Sequence, residues 1–182
     1  MKILAVSGST RPGSLNTSLL RAAADVAPEG VDVELWHGIG DLPIYDQDLD
    51  AEEPPESVRR LRADWAAADA ILFATPEYNG SVPGGLKNAV DWASRPRGEA
   101  PLLNKNVAVV GASMGQFGAM WAQADLRRIL GIAGARVVGE DLPVTHAHEK
   151  FDSEGRLLDP DLEERLVRAL ETLAAESTPV VA

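Results

Sequence analysis

Gly8-Ser9-Thr10-Arg11-Pro12-Gly13-Ser14-Leu15-Asn16-Thr17-Ser18 lies between an apolar run, Ile3-Leu4-Ala5-Val6, and a helical spacing of apolar residues, Leu15, Leu19, Ala23 and Val26. An apolar run, a glycine turn and then a 3.6-residue period read as a strand entering a helix. The eleven residues hold two glycines, five hydroxyl side chains, one Arg, one Asn and no carboxylate. A helix N-terminus exposes unpaired N–H groups at the positive end of its dipole. The stretch therefore suits an anion, above all a phosphate monoester. Arg11 offers a bidentate, charge-assisted contact. Ser9, Thr10, Ser14 and Thr17 offer hydroxyls, and Asn16 an amide. The same residues also suit a plain turn with Ser14 or Asn16 as the helix cap. Neither G-x-G-x-x-G nor G-x-x-x-x-G-K-[ST] is present, which argues against a dinucleotide loop for NAD and against a nucleoside triphosphatase.

Beyond this turn, strand-like and helical patterns keep alternating. Strands are expected over 2–6, 31–36, 70–75, 106–112 and from 136, and the second alternates apolar and polar residues like a half-exposed edge strand. Helices are expected over 15–27, along Val58, Leu61, Trp65 and Ala68, along Leu86, Ala89, Val90 and Ala93, over 122–133, and from Leu162 to Leu173 behind Asp159-Pro160. Five strand–helix units imply a parallel sheet with helices on both faces. In such a sheet the ligand lies beyond the C-terminal strand ends, at the switch point. The loops 8–16, 75–85 and 112–118 should then form one site, and they are the chain's three loops richest in glycine and polar residues. Gly80, Gly84 and Gly85 permit close approach to a flat ligand, with Tyr78 as an aromatic wall. A rigid turn with Tyr78 packed on the next helix is the plainer alternative. The stretch 37–55, with its acidic run, reads as a solvated loop. One domain over 1–176 with a frayed tail at 177–182 accounts for the whole length.

Composition narrows the function. With 17 Lys plus Arg against 28 Asp plus Glu, the formal net charge is −11, which disfavours nucleic acid and anionic membranes as partners. There is no cysteine, so disulfides, thiolate catalysis and Cys-ligated metals are out. His146 and His148 are too few ligands for a metal, and no metal site is assigned. G-x-S-x-G is missing, which removes the nucleophile elbow of a hydrolase. No apolar run approaches the roughly 20 residues that span a bilayer, and no secretory signal pattern opens the chain. A cytoplasmic protein is expected.

The two longest motifs resemble a known family. Gly8-Ser9-Thr10-Arg11-Pro12-Gly13-Ser14-Leu15-Asn16 is similar to the G-S-x-R-x-x-S-x-N phosphate loop of NAD(P)H-dependent FMN reductases. Pro76-Glu77-Tyr78-Asn79-Gly80-Ser81-Val82-Pro83-Gly84-Gly85-Leu86-Lys87-Asn88-Ala89-Val90-Asp91-Trp92 resembles their P-E-Y-N-x-S-x-P-x-x-L-K-N-A-x-D-W signature. Gly111-Ala112-Ser113-Met114-Gly115 and Leu126-Arg127 also fit, and the bacterial quinone and chromate reductases are the nearest branch. The resemblance implies an α/β, flavodoxin-like three-layer sandwich with a five-stranded parallel sheet in the order 2-1-3-4-5. It implies non-covalent FMN, with Ser9, Arg11, Ser14, Asn16 and Thr17 on its phosphate. Pro76, Glu77, Tyr78, Asn79 and Gly80 would border the isoalloxazine, largely through backbone groups, with Ser113 and Gly115 on the other side. NADPH or NADH would reduce the flavin and a quinone, flavin, chromate or similar small acceptor would reoxidise it, in ping-pong fashion and without a catalytic side chain. A homodimer or homotetramer is implied. The rival expectation is a flavodoxin-type electron carrier with no nicotinamide chemistry of its own.

Overall fold

The computed structural model describes residues 1–177. The expected alternation is present: β1 (Lys2–Ser7), α1 (Leu15–Asp25), β2 (Asp32–Trp36), α2 (Glu56–Ala67), β3 (Ala70–Ala74), α3 (Gly84–Ala93), β4 (Asn106–Ala112), α4 (Met120–Ile132), β5 (Arg136–Val137), β6 (Leu142–Val144) and α5 (Pro160–Ser177). All strand pairs are parallel, in the order β2-β1-β3-β4-β5 with β6 also on β4. This is the flavodoxin-like arrangement. Expected tail residue Ser177 closes α5, and 178–182 lie outside the described residues.

One correction concerns the fifth position. The sheet has six strands rather than five, because β5 pairs Arg136 and Val137 with Asn106 and Val107, whereas β6 pairs Leu142–Val144 with Val110–Ala112. The intervening residues 138–141 leave the ladder. Pro143 sits within β6, and this outer position accepts a residue without an N–H.

Two cores follow from the strand period of two. Ile3, Ala5, Leu72, Ala108 and Val110 pack beneath α1 and α5, meeting Leu19, Leu20, Leu166 and Leu170. Leu4, Val6, Ile71, Phe73, Val107 and Val109 face α2, α3 and α4, with Leu61, Trp65, Leu86, Trp92 and Leu126. β3 and β4 are buried along their whole length, as central strands between two helical layers must be. β2 carries the edge pattern, and Lys2 pairs with its Glu34 at 2.5 Å. Because β1 pairs with both β2 and β3, the chain reverses direction across the sheet at β1. The loops after β1 and β3 flank the resulting crevice.

Candidate active site

The turn after β1 is held by its own backbone. Gly8 N donates to Ala74 O at 2.8 Å, tying the two strand ends together. A Cβ on Gly8 would stand 2.8 Å from Leu86 Cδ2 and 3.2 Å from Pro76 Cδ, so glycine is what lets this turn lie against the next loop. Ser14 N donates to Arg11 O at 3.2 Å. Ser14 then caps α1, its Oγ accepting from Thr17 N at 3.3 Å. Ser18 N donates to Ser14 O. The N–H groups of Leu15 and Asn16 have no acceptor among the described residues, and no acidic side chain stands in the first turn. Arg11 is exposed, and its guanidinium makes no hydrogen bond or ion pair among the described residues. A dianionic phosphate fits this donor set: free first-turn N–H groups, a hydroxyl whose proton is unspent and an unpaired guanidinium.

Three of the expected ligands have second duties. Asn16 is buried, and its Nδ2 donates to Ala112 O at 3.0 Å while its Oδ1 accepts from Ala112 N at 2.9 Å. Both amide atoms are thus engaged at the end of β4. Thr17 Oγ1 lies 2.9 Å from Ser7 Oγ. Ser9 N donates to Ser7 Oγ at 3.3 Å. A cavity of about 280 Å³ opens beside this turn, with Ser9, Arg11 and Thr17 on one wall and His37 to Asp41 on the other. The sequence reading gave residues 37–41 no role.

The loop after β3 is a small hairpin. Tyr78 N donates to Ser81 O at 3.0 Å and Ser81 N to Tyr78 O at 3.2 Å. Asn79 and Gly80 form its tip with φ of 54° and 75°. Two consecutive positive φ values mark the primed hairpin turn that Asn-Gly favours. Nothing lies within 4 Å of a Cβ placed on Gly80, so its glycine serves the turn. Glu77 is expected to border a ring largely through its backbone, and its side chain has a separate task. Its carboxylate turns away to α4, where Oε2 accepts from Trp121 N at 3.0 Å and Ala122 N at 3.2 Å. α4 needs this, because Ala119 at its start has φ of 60° and no capping side chain. Ser81 Oγ adds a bond to Asp125 Oδ2 at 2.7 Å.

The third loop rests on residues 142–147, which have no supporting role in the sequence reading. Ser113 N donates to Val144 O, His146 N to Gly115 O and Ala147 N to Ser113 O. Buried Gln123 reaches Gly118 O and the N–H of Leu142. Phe117 and Trp121 meet at a tilt of 56° with centroids 4.7 Å apart, both half-exposed, as are Tyr78 and Met114. The crevice therefore has a polar, cationic end at α1 and apolar, aromatic margins at the other two loops. His146 and His148 lie with ring centroids 6.4 Å apart. No group of three or more His, Asp or Glu among the described residues is placed to hold a metal.

The sequence profile of the family described as NADPH-dependent FMN reductase matches residues 1–149. The chain belongs to this family. As an FMN reductase it has relatives of full length: it is 42% identical over 174 residues to the NAD(P)H-dependent FMN reductase of Pseudomonas aeruginosa, covering 95% of this chain and 93% of that one. It is 36% identical over 176 residues to the 2-hydroxy-1,4-benzoquinone reductase of a Burkholderia species, covering 96% and 95%. Among solved structures it superposes on FerB, the flavoenzyme NAD(P)H:(acceptor) oxidoreductase of Paracoccus denitrificans, with a TM-score of 0.83 and 35% identity, covering 96% of this chain and 98% of that one. These FMN reductase relatives support an oxidoreductase with FMN and NAD(P)H rather than an electron carrier.

Proposed function

We propose that this FMN reductase is a quinone reductase that holds FMN non-covalently with its phosphate at the start of α1. The observation that carries the reading is the unpaired Arg11 beside an α1 first turn that has free N–H groups and no carboxylate, in a chain of net charge −11. Arg11 neutralises the phosphate. The hydroxyls of Ser9, Ser14 and Thr17 and the backbone N–H of Asn16 donate to it, and the Asn16 amide keeps the turn against β4. The backbone of residues 76–80 borders the isoalloxazine on one side, and Ser113 with Gly115 on the other. Bound FMN supplies two-electron redox chemistry between NAD(P)H and the acceptor. The chain's own work is to orient both partners. The rings of Tyr78, Phe117 and Trp121 give a flat substrate apolar surface and exclude water from it. Backbone N–H groups beside the ring favour the negative charge that reduction places there.

A quinone is the natural acceptor for such a wall, being flat, small and apolar. Relatives named as quinone reductases, including one from Escherichia coli at 40% identity over 141 residues, support it. Free flavins and chromate are further acceptors of the same proposal, and the working form is a homodimer or homotetramer. No helix of the described residues is long and apolar enough to cross a membrane, and the cytoplasm is the proposed location. The test is the visible spectrum of the purified protein, then anaerobic NADPH and then benzoquinone. A flavin band that bleaches with NADPH and returns with quinone supports the reading. A colourless protein that takes up no added FMN contradicts it.

A further inference from the structure

The cavity of about 280 Å³ beside the phosphate turn reaches further than a flavin phosphate needs. Its walls come from α1, β1, β2 and residues 37–41, and Ser14, Leu15 and Asn16 at the head of α1 are not among them. It therefore runs along the flank of α1 rather than across its N-terminus. The strand order gives its direction, because β2 and β3 lie on opposite sides of β1. The loops proposed to border the isoalloxazine follow β3 and β4, whereas this cavity opens toward β2. A flavin phosphate held at the start of α1 has the ring on one side of it and this cavity on the other.

The lining has three kinds of surface. Ala5, Leu20 and Leu35 make an apolar interior, and the first two are buried. Arg11 and Arg21 both line the cavity. Arg21 is exposed, and its guanidinium makes no hydrogen bond or ion pair among the described residues. Elsewhere Arg59, Arg60, Arg62 and Arg128 each face a carboxylate. Two unpaired guanidiniums on one cavity stand out in a chain of net charge −11. One suits the phosphate of FMN, and the second suits a second phosphate. Asp41, exposed, adds a single carboxylate to the wall formed by residues 37–41. That wall closes on the phosphate turn, since a Cβ on Gly40 would stand 3.8 Å from Thr10 Cγ2. An apolar slot, a phosphate cation and a lone acid are what the adenosine end of a dinucleotide requires, the acid serving the ribose hydroxyls.

We infer that this cavity is a subsite for an adenosine 5′-phosphate group and that the chain takes FAD as well as FMN. FAD is FMN extended through its phosphate by that group, and the cavity continues from the phosphate turn in the required direction, sharing Ser9, Arg11 and Thr17 with it. The adenine lies against Leu20 and Leu35, Arg21 neutralises the second phosphate, and the ribose hydroxyls donate to Asp41. The inference rests on the flavin-phosphate position proposed above.

Calorimetric titration of the flavin-free protein with FMN and with FAD tests it, in the wild type, in Arg21→Ala and in Gly40→Phe. Gly40 is exposed and has no positive φ, so a ring placed there plugs the cavity without straining the backbone. The wild type is expected to bind FAD at least as tightly as FMN. Each variant is expected to weaken FAD at least tenfold and to leave FMN within twofold. NADPH also carries an adenosine 5′-phosphate, so its KM is measured in the FMN-loaded proteins and is expected to stay within twofold. A wild type that binds neither flavin overturns the phosphate position and this subsite together. FMN binding with weaker FAD binding in the wild type, or FAD affinity unchanged in either variant, overturns the subsite alone. A raised KM for NADPH with unchanged FAD binding assigns the cavity to the nicotinamide dinucleotide and overturns the inference.

Discussion

Asn16 is the residue on which the site's geometry turns. Its amide closes two hydrogen bonds with the backbone of Ala112, 96 residues away, and so locks the start of α1 to the end of β4. Removing it leaves a buried donor and acceptor without partners, and each such loss costs on the order of 1–3 kcal/mol. Asn16→Ala is expected to lower unfolding stability by about 2 kcal/mol, read from urea denaturation of the flavin-free protein. An unchanged midpoint would refute the latch. From the sequence, Asn16 reads as a phosphate donor, because local pattern shows residue type and spacing but not a partner 96 positions away. Ser14 is different: its capping bond spans three residues, so the hydroxyl before an apolar period announces it.

At the scale of elements, the coupling of the hairpin 78–81 to α4 is what the strand and helix periods leave out. Glu77 supplies the cap that Ala119 lacks. Glu77→Ala is expected to cost about 1 kcal/mol, as loss of an N-cap does, and to speed hydrogen exchange at the amides of Trp121 and Ala122, whereas Glu77→Gln keeps an acceptor and most of the protection. Equal exchange in all three proteins would count against the coupling. The break between β5 and β6 was equally hidden, since a three-residue strand containing Pro143 leaves no periodic trace. Its consequence is real, because β6 carries the backbone that supports Ser113. α5 was plain to read, with Asp159 before Pro160 and four buried leucines. Lys150 hydrogen-bonds the Asp159 carboxyl, and Leu162 N donates to it, so it is held below the ordinary carboxylate value. A carboxyl depressed by folding stabilises the fold above about pH 4, and that contribution is lost as the pH falls through its lowered value. Melting temperature should therefore fall less steeply between pH 5 and 3 in Asp159→Asn than in the wild type; identical slopes would exclude Asp159 from the acid limb.

Across the whole molecule, parallel pairing at β1 and β3 gathers three loops at one end of the sheet, and this convergence was legible because five apolar runs alternate with five helical periods. The contacts that stiffen the loops join one loop to another, as Asn16 does to Ala112, or come from outside them, through Trp121, Val144 and His146, and distant packing of that kind has no local signature. In the proposed cycle NAD(P)H and acceptor occupy the same crevice in turn. Steady-state rates with varied NADPH and quinone should then give parallel double-reciprocal lines, and intersecting lines would show that both bind together. The central claim is that α1 and Arg11 grip a flavin by its phosphate. Fluorescence titration of the flavin-free protein with FMN and with riboflavin, which lacks only that phosphate, tests it most directly. Two charge-assisted contacts are each worth about 1.5 kcal/mol or more, so FMN is expected to bind at least about 100-fold more tightly than riboflavin, with most of that preference gone in Arg11→Ala. Equal affinity for the two flavins in the wild type, or a preference untouched by the substitution, would contradict it.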